Sequence, residues 1–218
     1  MNYIDPKHEP ISLRNHRIPA FLRFMKSDKK LVEVPKAESL LPIGNCYWNV
    51  NEMIRREGGS VVYGWDVAIW SKSHITAMHH ALWLRTDGVL LDVTDTYPSV
   101  KNRLHSTLLP DDRIAIDLEK QPNIPAKHFV FQNGSATLEF VQACQDLHLL
   151  DQKIASISYE AGYRCEYQFA IAQNVPITEG FALNLTSASA ALYETLAGRR
   201  PAAMERIGRA ITALNTAL

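Results

Sequence analysis

The sequence predicts an α+β protein in which strands come first and helices fill the C-terminal part. Three observations lead to this prediction. An amphipathic helix begins at Cys46, β-branched and aromatic runs follow it as far as Thr94, and from Ser135 onward the pattern is mostly helical. We therefore expect a core over residues 1–132, with an irregular N-terminal segment, and a helical extension over residues 133–218 that can pack onto it as part of one domain.

The composition is that of an ordinary globular protein and argues against several partners. Lys+Arg and Asp+Glu both number 23 in 218 residues, so there is no basic field for nucleic acid. No apolar run reaches the length of a membrane span, and the N-terminal segment lacks the apolar stretch of a signal peptide. Three widely spaced cysteines argue against a disulfide framework. They predict free thiols in the cytoplasm, or in a protein exported without a cleavable signal.

Two short elements are expected in the proline-rich N-terminal part. Phe21 and Phe24 share one face of a helix over residues 20–28. The run KKLVEV is typical of a short strand that ends at Pro35.

The helix that begins at Cys46 carries the most information about function. Cys46, Val50 and Met53 recur at helical spacing on one apolar stripe, while Asn45 is the expected N-cap and Gly58 the expected stop. A thiol in the first turn lies at the positive end of the helix dipole, which favours the nucleophilic thiolate. The unpaired N–H groups of that turn can also bind the oxyanion that forms when a thiolate attacks a carbonyl.

Two strand-like runs joined by Asp87–Gly88 predict a β-hairpin over Met78–Thr94. In the register that this turn favours, residue 82 lies opposite residue 92, so His80 and Asp92 are diagonal neighbours on one face. A carboxylate in that position holds an imidazole in the correct tautomer, as in a Cys–His–Asp triad.

One alternative is open for each of these two residues. His79 points to the opposite face of a regular strand, and Asp95 follows Thr94, where the strand is ending, so we prefer His80 and Asp92. A shift of one residue in register would reverse both choices.

This order of residues resembles the transglutaminase-like branch of the papain-like cysteine enzymes, and arylamine N-acetyltransferases are similar in their Cys, His, Asp order. The matching residues are Gly44-Asn45-Cys46, His80 and Asp92-Val93-Thr94. The resemblance implies a cysteine-bearing helix packed on an antiparallel sheet, with Cys46 as nucleophile, His80 as general base and acid, and Asp92 as the orienting residue. It covers roughly Leu41 to Asp95, and Trp83 lies one place later than in the His-x-Trp of the family.

The resemblance predicts a thiol-dependent acyl transfer on an amide or thioester. Attack by Cys46 and protonation of the leaving group by His80 give an acyl-enzyme, which water converts by hydrolysis or deamidation and an amine by transglutaminase-type transfer. The expected substrate is a peptide, a protein or a small amide, and neither an organic cofactor nor a metal is required. Trp48, Asn45 and Trp65, which are close to the triad in sequence, are expected to contact the substrate.

Two other kinds of function stay open. A cysteine on an apolar stripe is often a core residue, so the same fold can serve as a non-catalytic module that binds a partner protein. A metal site would draw on Cys46, Asp92 and the two adjacent histidines, but neighbours on a strand point to opposite faces.

The remaining predictions concern the C-terminal helices and the other histidines. The last two Ala-rich helices are expected to be separated at Gly198 and Pro201 and can pair with a second copy of the chain. Histidines elsewhere in the chain are expected to be solvated; they are His8, His16, His74, His105, His128 and His148.

Overall fold

The computed structural model describes residues 8–70, 72–96, 104–177 and 182–217, and residues 1–7 of the expected irregular segment lie outside this part. The helices are α1 (Ile18–Met25), α2 (Cys46–Glu57), α3 (Ser135–Glu160), α4 (Glu166–Gln173) and α5 (Ser187–Ala217). The strands are β1 (Glu9–Pro10), β2 (Val32–Leu41), β3 (Ser60–Trp70), β4 (His74–Leu84), β5 (Leu90–Thr94), β6 (His105–Pro110) and β7 (Lys127–Val130). The predicted α+β class is confirmed.

The strands form one mixed sheet that closes into a small barrel. Their order is β1-β3-β6-β2-β5-β4-β7, and β3 pairs again with β4, so that β3, β6, β2, β5 and β4 complete a circuit. The expectation of a purely antiparallel sheet is wrong for one pair, because β2 and β5 run parallel. Strand β2 also continues to Leu41 instead of ending at Pro35. That proline stands opposite His105 at the end of the β2–β6 ladder, where a missing N–H costs little.

The predicted hairpin is confirmed, and its register is the one that the turn favours. Trp83 pairs with Leu91 and Leu84 with Leu90, a register that places residue 82 opposite residue 92. The Arg85 N–H donates to the Val89 oxygen across the turn. Strand β4 begins earlier than predicted, at His74, because all of its residues pair with β3.

Alternation along the barrel strands produces two layers of side chains inside it. One layer is apolar and consists of Val34, Val62, Leu82, Leu90 and Leu108. A polar layer lies next to it, two residues away on four of the same strands. Its members contact one another and are Lys36, His80, Asp92 and Ser106. The outer face of β4 and β5 packs against α2 through Val50, Ala81, Trp83 and Val93. The cysteine-bearing helix therefore lies against the two strands that supply His80 and Asp92.

The helical extension is confirmed, but its last two predicted helices are one. Helix α5 runs through Gly198 and Pro201. Leu196 before the proline and Ile211 after it are both buried, so packing holds the helix together on either side of the lost hydrogen bond. Ion pairs from Arg200 to Asp151 and from Arg206 to Glu139 and Asp146 show that α5 runs antiparallel to α3. Among the described residues, no helix is long and apolar enough to cross a lipid bilayer.

Candidate active site

Asp92 is the most completely bonded residue of the polar layer. Its side chain is 1% exposed, and Oδ2 accepts hydrogen bonds from Lys36 Nζ at 2.8 Å and Ser106 Oγ at 2.5 Å. Oδ1 accepts the Thr94 backbone N–H at 3.0 Å and faces His80. Burial would raise the pKa of Asp92, but the charge of His80, followed by the charge and hydrogen bond of Lys36, lowers it strongly. Asp92 is therefore an ionised carboxylate in a fixed orientation.

His80 lies between this carboxylate and the Cys46 sulfur. Its Nε2 is 3.1 Å from Asp92 Oδ1, an ion-pair distance without the alignment of a hydrogen bond. Burial would lower the pKa of His80, but the charge of Asp92, followed by that of a Cys46 thiolate, raises it well above 6.5. Cys46 is close enough to His80 to act on its pKa through both charge and hydrogen bonding. The raised pKa, beside the ionised Asp92, favours the protonated form of His80.

Cys46 is the first residue of α2 and is 9% exposed. Asn45 occupies the N-cap position, as expected. Its side chain makes no capping bond, because its amide donates to the Gln168 backbone oxygen in α4 and to Asn49 Oδ1. No side chain in the described part of the chain caps this end of the helix. The first-turn N–H groups beside the sulfur are therefore free to bind an oxyanion.

His79 and Asp95, the two alternative candidates, lie away from the contact between His80 and Asp92. His79 lies on the other face of β4, where its Nδ1 is 2.9 Å from the Tyr47 hydroxyl and its ring packs edge-on against Trp65. Burial lowers the pKa of His79 to about 4, so this ring is neutral at pH 7. Asp95 is exposed, and its backbone N–H pairs with Leu41. Cys46, His80 and Asp92 are therefore the three predicted residues that meet, while their catalytic role stays a prediction.

The three residues predicted to contact a substrate are all buried. Trp48 packs against Cys165 and Ala172, and its indole N–H donates to the Leu118 oxygen. The Trp65 indole donates to Asp111 Oδ2 at 2.8 Å, and Asn45 bonds to α4 as described above. In this conformation they offer almost no surface to a ligand, and substrate contact by them stays a prediction.

Aromatic side chains beside the sulfur were not predicted. Tyr47 and Tyr63 each pack against His79 with nearly parallel rings. Both rings pack against the apolar cluster that contains Cys46. Burial, followed by the charge of a Cys46 thiolate, raises the pKa of both phenols. Tyr47 follows the cysteine directly in the sequence, and Tyr63 alternates with Trp65 on the face of β3 that packs against α2. Alternation along β3 was the signal that could have identified Tyr63.

Lys36 and Ser106 were also missed as members of the site. Lys36 follows the proline at which the strand was expected to end, and β6, which carries Ser106, was not predicted at all. The run HSTLLP does contain the alternation of a strand, with Ser106 and Leu108 on one face. Their contact with Asp92 depends on barrel closure, which no local pattern indicates.

A second group of histidines contradicts the expectation of solvated side chains. The ring centroids of His8 and His128 each lie 5.6 Å from that of His74, and the His74 ring packs against Phe140. His74 is fully buried, its Nδ1 contacts Ser73 Oγ at 2.8 Å, and burial lowers its pKa to about 3. Burial likewise lowers the pKa of His128 to about 4. His74 and His128 are therefore neutral aromatic groups at the place where β4, β7 and α3 meet.

Within the described ranges, no group of three or more His, Cys, Asp or Glu side chains is arranged to hold a metal ion. Comparisons of the chain with models of known families, with curated proteins and with solved structures find no match.

Proposed function

We propose that this protein is a cysteine-dependent acyl-transfer enzyme that acts on an amide or thioester through an acyl-enzyme on Cys46. The observation that carries the proposal is the position of His80, between an ionised and fully bonded Asp92 and the Cys46 sulfur. A cysteine at the start of a helix that packs on a sheet is also what the resemblance to the transglutaminase-like branch of the papain-like enzymes implies, and we include that assignment in the proposal.

In the proposed reaction, the thiolate of Cys46 attacks the carbonyl carbon and a C–S bond forms. The first-turn N–H groups of α2 bind the oxyanion. His80 transfers its proton to the departing nitrogen or sulfur as the bond to the carbonyl carbon breaks. The neutral His80 then removes a proton from water or from an amine, which attacks the thioester and regenerates the thiolate. Water gives hydrolysis or deamidation, and an amine gives acyl transfer.

Acylation by a small activated ester tests this proposal without knowledge of the natural substrate. Incubation with p-nitrophenyl acetate is expected to release one equivalent of nitrophenolate rapidly and to leave an acetyl group on Cys46, located by peptide mass spectrometry. Added hydroxylamine then discharges the thioester. The Cys46→Ser variant is expected to lose the rapid phase, whereas Cys144→Ser, which removes a thiol of α3, is expected to keep it. Acetylation spread evenly over the three cysteines, or absent from Cys46, would contradict the proposal.

A further inference from the structure

Lys36 is an almost fully buried lysine whose charge has no role in the reaction proposed above. Its side chain is 9% exposed, and Nζ donates to Asp92 Oδ2 at 2.8 Å and to the Thr94 backbone oxygen at 2.6 Å. Burying an ammonium group is costly unless it is paired and hydrogen-bonded. Both conditions are met on the far side of the carboxylate from His80.

Positive and negative charges alternate along the contacts of the polar layer. Lys36 is positive, Asp92 negative and His80 positive, and the thiolate that the proposed reaction requires at Cys46 would complete a set with no net charge. His79, the next residue along β4, is neutral at pH 7 and faces the other way. On β3, Gly64 stands opposite His80 and brings no charge. Lys36 is therefore the cation that competes with His80 for the negative charge of Asp92.

We infer that Lys36 is a positioning residue that, together with Ser106, sets how strongly Asp92 holds the proton on His80. A carboxylate that faced His80 alone would hold the imidazolium too tightly for it to act as an acid toward a leaving group. Lys36 and the Ser106 hydroxyl both bind Oδ2, which withdraws negative charge from the Oδ1 that faces the ring. The inference rests on the proposed function, because it describes the proton donor of that reaction.

The pKa of His80, measured by NMR titration of protein with labelled histidine, tests the inference directly. In Lys36→Met the pKa is expected to rise by about one unit or more, because the competing cation is gone. Lys36→Arg, which keeps the charge, is expected to restore a value close to that of the wild type. Lys153→Met, a change of an exposed lysine on α3, is the matched control and is expected to leave the pKa of His80 unchanged.

A second variant and a second measurement keep the test decisive if Lys36→Met does not fold. Ser106→Ala removes a single hydroxyl and is expected to raise the pKa of His80 in the same direction by a smaller amount. The ratio of Cys46 alkylation by anionic iodoacetate to alkylation by neutral iodoacetamide is expected to stay high to higher pH in both variants, because the imidazolium attracts the anion. An unchanged or lowered pKa of His80 in Lys36→Met, or in Ser106→Ala if the first variant does not fold, overturns the inference. The ring is observed directly, so this outcome is separate from whether Cys46 forms an acyl-enzyme.

Discussion

The Asp92→Asn variant is expected to lose most of its reactivity at Cys46 and a large part of its stability. The amide cannot stabilise an imidazolium and favours the wrong tautomer of His80, so acetylation of Cys46 by p-nitrophenyl acetate should slow by about 10²–10⁴-fold. The same change leaves Lys36 buried without a counterion. Breaking a buried pair in this way typically costs about 3–5 kcal/mol of unfolding free energy. Stopped-flow release of nitrophenolate and urea unfolding at pH 7.5 measure the two effects.

Asp95→Asn is the matched control for this prediction. It changes the other candidate carboxylate of the same segment, but that side chain is exposed. We expect its acetylation rate and its unfolding free energy to stay close to those of the wild type. If Asp95→Asn lost reactivity while Asp92→Asn kept it, the assignment of the orienting residue would be wrong.

Mild acid is expected to destabilise the protein, because two buried histidines and one half-buried histidine are neutral in the folded state. Burial lowers the pKa of His74 to about 3 and those of His79 and His128 to about 4, whereas an unfolded histidine titrates near 6.5. Below about pH 6.5 the unfolded chain therefore binds protons that the folded protein does not, and stability falls as the pH falls toward 4. For a group as buried as His74, the loss at pH 4 is about 3 kcal/mol.

His80 and Asp92 of the candidate site affect the unfolding free energy in other pH ranges. The raised pKa of His80 contributes stability that is fully present below 6.5 and is lost as the pH rises through the folded value. The lowered pKa of Asp92 contributes stability that is present above about 3.9 and is lost only as the pH falls below it. Between pH 6.5 and 4 the contributions of His80 and Asp92 therefore change little, and the three neutral histidines determine how the unfolding free energy changes.

Urea unfolding at pH 7.5, 6, 5 and 4.5 measures this dependence. The unfolding free energy is expected to decrease at each step below pH 6.5. His74→Gln is expected to reduce the decrease, because one of the three titrating groups is gone, and His16→Gln, a change of an exposed histidine, is expected to leave it unchanged. A stability that is flat or that rises toward pH 4.5 would contradict the burial of these rings.

Local patterns were sufficient for the parts of the fold that local chemistry determines. Apolar spacing located the helix that begins at Cys46, and the Asp87–Gly88 turn set the register that makes His80 and Asp92 diagonal neighbours. These two elements brought the predicted triad together. The boundary at Pro35 was wrong because an edge position in a ladder tolerates proline, and the break at Pro201 was wrong because packing on α3 holds α5 together.

Contacts between distant segments could not be predicted in the same way. Lys36 meets Asp92 through a parallel pairing of β2 with β5, and Ser106 meets it from a strand that closes the barrel. His74 and His128 come together because β4 pairs with β7 and α3 covers both. In each case the partner is separated by many residues, and nothing in the neighbouring sequence indicates which strand will lie alongside.

The rate of Cys46 alkylation by iodoacetamide between pH 5 and 9 tests the central claim most directly, with each cysteine followed by peptide mass spectrometry. Burial raises the pKa of Cys144 and Cys165 to about 11, so these thiols are internal controls that should react slowly. We predict rapid alkylation of Cys46 already at pH 6, a loss of at least about tenfold at that pH in His80→Ala, and near-normal rates in His79→Gln. If Cys46 stays inert until the protein unfolds, or if its rate at pH 6 does not depend on His80, the thiolate–imidazolium pair does not exist.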